Sequence, residues 1–183
     1  PQAVVPVPRG PAGQSLPSVR VDSIFTVLMT DPLDATMNEG ERVALDYKLL
    51  NRRDAGVDSI VLALEYAPWA LQPVAVYADM LGEMLARPAS TYLDERMGLL
   101  TIEMQLRKGS VPPTGTVAQV VWEGRGPLRA SPLRWRMKGP MATRVSLGGQ
   151  DRLGLPDDPL DGVIPTMVQV RPLGTRLVVE PTL

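Results

Sequence analysis

The carboxylates are the main chemical resource of this chain, which contains no histidine and no cysteine. Those absences remove thiol nucleophiles, disulfides, Cys/His zinc sites and histidine-based triads. Asp157, Asp158 and Asp161 cluster in a loop rich in proline and glycine, and clustered carboxylates are the hard oxygen donors that suit Ca²⁺. The spacing is not that of an EF-hand, and Asp and Gly favour turns on their own account, so a solvated turn is the plainer reading. Asp31, Asp34 and Glu39 form a second loop with the same ambiguity. A glycosidase pair would need two carboxyl groups roughly 5–10 Å apart in a cleft. Glu65 and Glu103 instead sit in runs whose opposite face is apolar, so both are expected to point to solvent. Ser59 and Ser146 have no histidine to activate them and no Gly-x-Ser-x-Gly elbow. The chain is expected to be no enzyme and to carry no cofactor, with Ca²⁺ the one ion worth testing.

Recognition is the remaining possibility. Aromatic residues are only 4% of the chain, too few for an extended sugar platform. Trp122 and Tyr66 share phase with inward residues and read as core, whereas Trp69 follows Pro68 in a turn and is the best placed for exposure. Arg134, Arg136 and Lys138 alternate with Leu133, Trp135 and Met137, giving a cationic face that is either merely solvated or a contact for an acidic partner. Met80, Met84, Met97 and Met104 suit either core filling or a subunit contact.

The elements that would position these residues are strands. In residues 42–49, Val43, Leu45, Tyr47 and Leu49 alternate with Arg42, Ala44, Asp46 and Lys48, the pattern of a strand with one face in a core. Similar runs occupy residues 19–30, 57–66, 99–106 and 116–122, then 133–137, 141–147, 163–170 and 176–180. Residues 71–76 read as a resumption of the strand that Ala67, Pro68 and Trp69 interrupt. The inward set expected to share one core is Val43, Leu45, Tyr47, Ile60, Leu62, Leu64, Leu100, Ile102, Met104, Val120 and Trp122. Residues 79–86 alone look helical, and Pro88 limits them to one or two turns. Turn residues recur about every ten positions, as in sandwiches and barrels. The expected class is all-β, a jelly-roll or Ig-like antiparallel sandwich of about nine strands with one short helix.

At 183 residues one domain can build its core without staples. The 19 prolines and 16 glycines disfavour long helices. A net charge of −1 supplies no field to attract nucleic acid, and no apolar stretch is long enough to span a membrane. Pro1 in first place points to a processed chain or a fragment. Residues 1–18 hold five prolines and are expected to be an extended tail or linker, residues 19–172 the sandwich, and residues 173–183 an extended C-terminal segment. Val4, Val5 and Val7 are apolar for a solvated tail, so this segment, like residues 177–179, could add a strand to a sheet edge.

Four motifs in order resemble the cohesin-like family, relatives of some carbohydrate-binding modules. Gly40, Glu41, Arg42, Val43, Ala44 and Leu45 resemble its Gly-Asp/Glu-x-Val-x-Val strand opening. Residues 56–71, led by Gly56 and running through Leu64, Tyr66, Pro68 and Leu71, resemble its Leu-x-Tyr-Asp-Pro strand end, with Ala67 in place of the Asp. Gly98, Leu99, Leu100, Thr101 and Ile102 resemble its Gly-x-Leu/Ile-x-Ile strand, and residues 115–122 its Gly-x-Leu/Val-Ala-x-Ile-x-Phe strand. The resemblance spans about residues 20–170. It implies a secreted or cell-surface structural module that assembles with itself or with another protein, and the residues themselves offer Val4, Val5, Val7, Trp69, Arg134 and Arg136 as the interaction candidates. A polysaccharide-binding module of a larger secreted protein is the alternative.

Overall fold

The computed structural model describes residues 26–154 and 162–173. Val4, Val5, Val7, Asp157, Asp158, Asp161, the tail over residues 1–18 and the strand read over residues 176–180 all lie outside the described residues. Thirteen strands are described. They are β1 (Thr26–Asp31), β2 (Asp34–Asn38), β3 (Arg42–Asn51), β4 (Ser59–Glu65), β5 (Leu71–Tyr77), β6 (Ser90–Asp94), β7 (Leu99–Gln105), β8 (Gly115–Gly124), β9 (Leu128–Trp135), β10 (Arg144–Leu147), β11 (Gln150–Asp151), β12 (Val163–Ile164) and β13 (Thr166–Arg171). No helix among the described residues is long and apolar enough to cross a membrane.

The strands form two facing sheets. One has five strands in the order β12-β1-β3-β8-β5. The other has eight: β6-β7-β4 continues at one end of β4 into β10-β11 and at the other into β9-β13-β2. Most neighbours are antiparallel, but β1 with β12 and β2 with β13 are parallel. The all-β sandwich expected from the alternation is therefore present, with mixed rather than uniformly antiparallel sheets.

The strand count exceeds about nine for local reasons. Pro165 divides the run at residues 163–170 into β12 and β13, which join different sheets. β2 and β6 are sheet-edge strands of five residues each, with only one apolar face or none buried. Residues 71–76 do not resume β4: the turn over residues 67–70 carries the chain across the sandwich, so β4 and β5 lie in opposite sheets. The helical reading of residues 79–86 is corrected to a three-residue 3-10 turn, Gly82–Met84. Gly82 takes a positive φ of 52°, which an α-helix does not, and Leu85 is drawn into an extended bridge with Leu106.

The core lies between the sheets. Leu45, Tyr47, Leu49, Val120 and Trp122 come from the five-stranded sheet, and Ile60, Leu62, Leu64, Leu100, Ile102 and Met104 from the other, all buried. Val43, expected among them, is only half-buried near the end of β3. The rings of Tyr47 and Trp135 meet edge-on across the core at 5.6 Å, and those of Tyr66 and Trp122 at 5.1 Å. Trp122 Nε1 donates to Tyr47 Oη at 3.2 Å, so the phenol that burial would otherwise leave unpaired is satisfied.

Candidate interaction surface

Strand pairing arranges the outer face of the eight-stranded sheet into rows. One row runs Gln105, Ser59, Ser146, Asp151; the next Ser90, Glu103, Val61, Arg144. A third holds Tyr92, Thr101 and Ala63, and a fourth Asp94, Leu99, Glu65 and Arg134. Side chains alternate across a sheet, so all of these share the face opposite the core. The centre of the face is dry: Ala63 is 0%, Thr101 2%, Val61 4% and Leu99 6% exposed. Long polar residues surround it, with Arg134, Arg144, Glu65 and Tyr92 exposed.

β4 is the strand on which this face depends, and its neighbour changes midway. Residues 59–61 pair with β10, and Leu64 and Glu65 pair with β9. Ala63 falls in the gap between those partners. Thr143 closes it with one hydroxyl, which accepts from Ala63 N at 3.1 Å and donates to Ala63 O at 3.0 Å. Arg136 N also donates to Ala63 O, at 2.8 Å. The loop that joins β9 to β10 is thus bonded to the sheet, not draped over it.

The charges on the two outer faces differ. On the five-stranded sheet Arg42 Nε donates to Glu123 Oε2 at 2.7 Å, Lys48 bonds Asp31, and Gln119 Nε2 donates to Asp46 Oδ1 at 2.7 Å. There both cations are paired, and Asp46 is held by an amide. On the eight-stranded sheet the pairs are looser, Arg87 with Glu103 at 3.5 Å and Arg136 with Glu65 at 3.9 Å. Arg134 and Arg144 make no ion pair among the described residues.

The singled-out residues that lie within the described parts take definite places. Arg134 stands exposed on the face, while Arg136 is half-buried and its Nε donates to Lys138 O at 3.2 Å, holding the loop. Trp69 is 62% exposed, but in the β4–β5 turn and off the face. Tyr77 ends β5, about 20 Å of strand away, and Tyr92 is on the eight-stranded sheet, so the exposed rings make no common platform. Trp122, Trp135, Tyr47 and Tyr66 are core. Of the methionines, Met104 is buried, Met84 half-buried, and Met80 and Met97 are exposed.

Glu65 and Glu103 share the face but stand four residues apart along neighbouring strands, roughly 13 Å, beyond the reach of a glycosidase pair. Ser59 and Ser146 are register partners, and the Ser146 hydroxyl lies 3.5 Å from Asp58 Oδ1. Asp31 is engaged by Lys48, and among the described residues no three acidic, His or Cys side chains converge as a metal site. The residues that sequence reasoning missed are Val61, Ala63, Leu99 and Thr101, which are small or apolar and betray their position only once β4 and β7 are paired.

The fold is cohesin-like. A cohesin of Acetivibrio cellulolyticus, solved in complex with a dockerin, matches at a TM-score of 0.58 with 13% identity, covering 81% of this chain and 99% of that one. A type II cohesin domain from the cellulosome of the same organism matches at 0.58 with 18% identity over 78% and 94%. A cohesin from a type I cohesin–dockerin complex of Clostridium thermocellum matches at 0.56 with 12% identity over 82% and 96%. No protein-family profile and no curated protein sequence matches this chain.

Proposed function

We propose that this chain is a non-catalytic protein-interaction module that docks a folded protein on the outer face of β6, β7, β4, β9 and β10. One observation carries the reading: Arg134 and Arg144 stand exposed on this face without an ion pair among the described residues, while both cations of the opposite outer face, Arg42 and Lys48, are paired. The unmatched guanidinium groups call for carboxylates on the partner, since Arg is suited to bidentate carboxylate pairing. Several cohesins of similar fold were solved bound to dockerins, which supports a protein partner. We extend the proposal to a secreted or cell-surface setting, in keeping with the neighbour drawn from a cellulosome.

The test is a binding titration of the purified chain against dockerins of the type found in those complexes and against proteins secreted by its own source organism. Arg134→Glu combined with Arg144→Glu should weaken binding at least about tenfold, the loss of two charge-assisted contacts. Arg42→Glu on the other sheet should leave it unchanged. If Arg42→Glu abolishes binding and the double variant does not, the face has been misassigned. Retention of a polysaccharide and of no protein would favour the carbohydrate-binding alternative.

A further inference from the structure

The sandwich is open along the side where β5 and β6 end their sheets. β6 pairs with β7 alone and β5 with β8 alone among the described strands, so each presents one unpaired backbone edge. On β6, Thr91 and Leu93 share the inward phase of their register partners Ile102 and Leu100, which are buried. Yet Thr91 is exposed and Leu93 is 37% exposed, because the five-stranded sheet stops at β5 and no described strand covers them. The other five-residue edge strand, β2, is different: its inward residues Ala35 and Met37 are buried. Beside β6 runs a groove of about 280 Å³ whose lining, Val76, Tyr77, Leu85, Pro88 and Ala89 among it, is mostly apolar but includes the carboxylate of Asp79. A mostly apolar groove flanked by free backbone donors and acceptors is shaped for an added strand.

We propose that residues 3–7 of the same chain occupy this groove as an added strand along β6. Three considerations select that occupant. First, reach: Thr26 opens β1, three strand spacings from β5, so the groove lies roughly 20 Å away. The chain between Val7 and Thr26 can extend to roughly 60 Å. The apolar residues 177–179 cannot serve. Leu173 follows β13, four spacings from β6, or roughly 19 Å, and Leu177 lies only about 14 Å of extended chain beyond it.

Second, proline phase. Backbone N–H groups alternate sides along a strand. Pro6 and Pro8 have even positions, so when Ala3, Val5 and Val7 bond to β6, both missing donors point away from it. Both side-chain sets, Ala3 with Val5 and Val7 and Val4 with Pro6, are apolar, so whichever faces inward covers Thr91 and Leu93. Third, tethering. Pairing β6 with β6 of a second copy would join two bulky sandwiches through five residues each, well below the roughly 20–30 residues a side of a standard interface. A segment on its own chain needs no such area, because its effective concentration is of millimolar order.

Hydrogen exchange at β6 tests the proposal. In the full chain, alternate amides of residues 90–94 should exchange about tenfold more slowly than in a chain lacking residues 1–10. Deletion removes none of the described strands. Full-length Val5→Pro should behave like the deletion, because it removes a donor aimed at β6, whereas Val4→Pro should behave like the parent. A synthetic peptide of residues 1–10 at millimolar concentration should restore protection to the truncated chain, and sedimentation should show a monomer. Equal exchange with and without residues 1–10, or indistinguishable proline variants, would overturn the proposal. A dimer that dissociates on truncation would overturn it too, by giving the groove to a second copy.

Discussion

Replacing Thr143 by valine should loosen β4 without emptying any space, since the side chains are near-isosteric. The hydroxyl is buried, Thr143 being 3% exposed, and it is the acceptor for Ala63 N. After the change Ala63 O still receives Arg136 N, but Ala63 N–H has no acceptor in the gap between β9 and β10. A buried donor left unpaired costs about 1–3 kcal/mol. For a domain of this size 1 kcal/mol moves Tm by roughly 2–4 °C, so the expected fall is about 4–8 °C for the middle of that range. Thr143→Ser keeps the hydroxyl and loses one methyl group, worth about 0.8 kcal/mol at most in transfer terms. Thermal melts of parent, Ser and Val variants, with urea midpoints alongside, decide the matter. If the Val variant melts with the parent, or the Ser variant is the worse of the two, the hydroxyl is not what closes the gap.

The remaining expectations follow from single features. Leu62→Ala deletes a fully buried side chain at the centre of β4 and should cost about 2–5 kcal/mol by urea unfolding; an unchanged midpoint would place the residue outside the core. Gly98→Ala should cost several-fold more than an exposed Gly→Ala change, because its φ is +61° and a Cβ would stand 2.1 Å from Tyr66 O; a melt within a degree of the parent would refute that geometry. Burial raises the Tyr47 and Tyr66 hydroxyls, and the hydrogen bond to Asp31 raises Lys48, so all three hold protons more tightly folded than unfolded. Their stabilisation is complete below the unfolded value, about 10, and is lost as pH rises beyond it. Urea midpoints should therefore stay level to about pH 9 and fall above pH 10, with a shallower fall in Tyr47→Phe. An identical alkaline slope in that variant would remove Tyr47 from the account.

What the sequence revealed about the fold depended on whether a strand has one dry face. β3 reads eight residues of alternation because one side meets the core and the other meets water. β4 reads as nearly continuous burial, since small and apolar residues on its outer side are covered by Glu103, Arg144 and their neighbours. β6 reads as nothing at all: its inward residues are uncovered, so no burial constrains their type, and Ser90, Thr91 and Tyr92 could belong to any loop. The β4–β5 crossing was equally hidden. A turn between two apolar runs looks the same whether the second strand rejoins its sheet or passes to the facing one, and only the pairing of β5 with β8 separates the two cases.

The proposed interaction surface was legible at its rim and illegible at its centre, for a physical reason. Arg134 announces itself because a cation in alternation with Leu133 and Trp135 must point away from the core. Ala63 and Thr101 carry no such mark, and they become neighbours through pairing of β4 with β7, about forty residues apart in the chain. The same separation explains why the chain could place its chemistry so poorly by inspection. The face consists of rows of three or four residues drawn from six strands, and no row contains two residues adjacent in sequence. A partner surface built this way can change one row member at a time without disturbing the inward alternation that makes the fold. The sandwich is accordingly shared with cohesins that are only 12–18% identical to this chain.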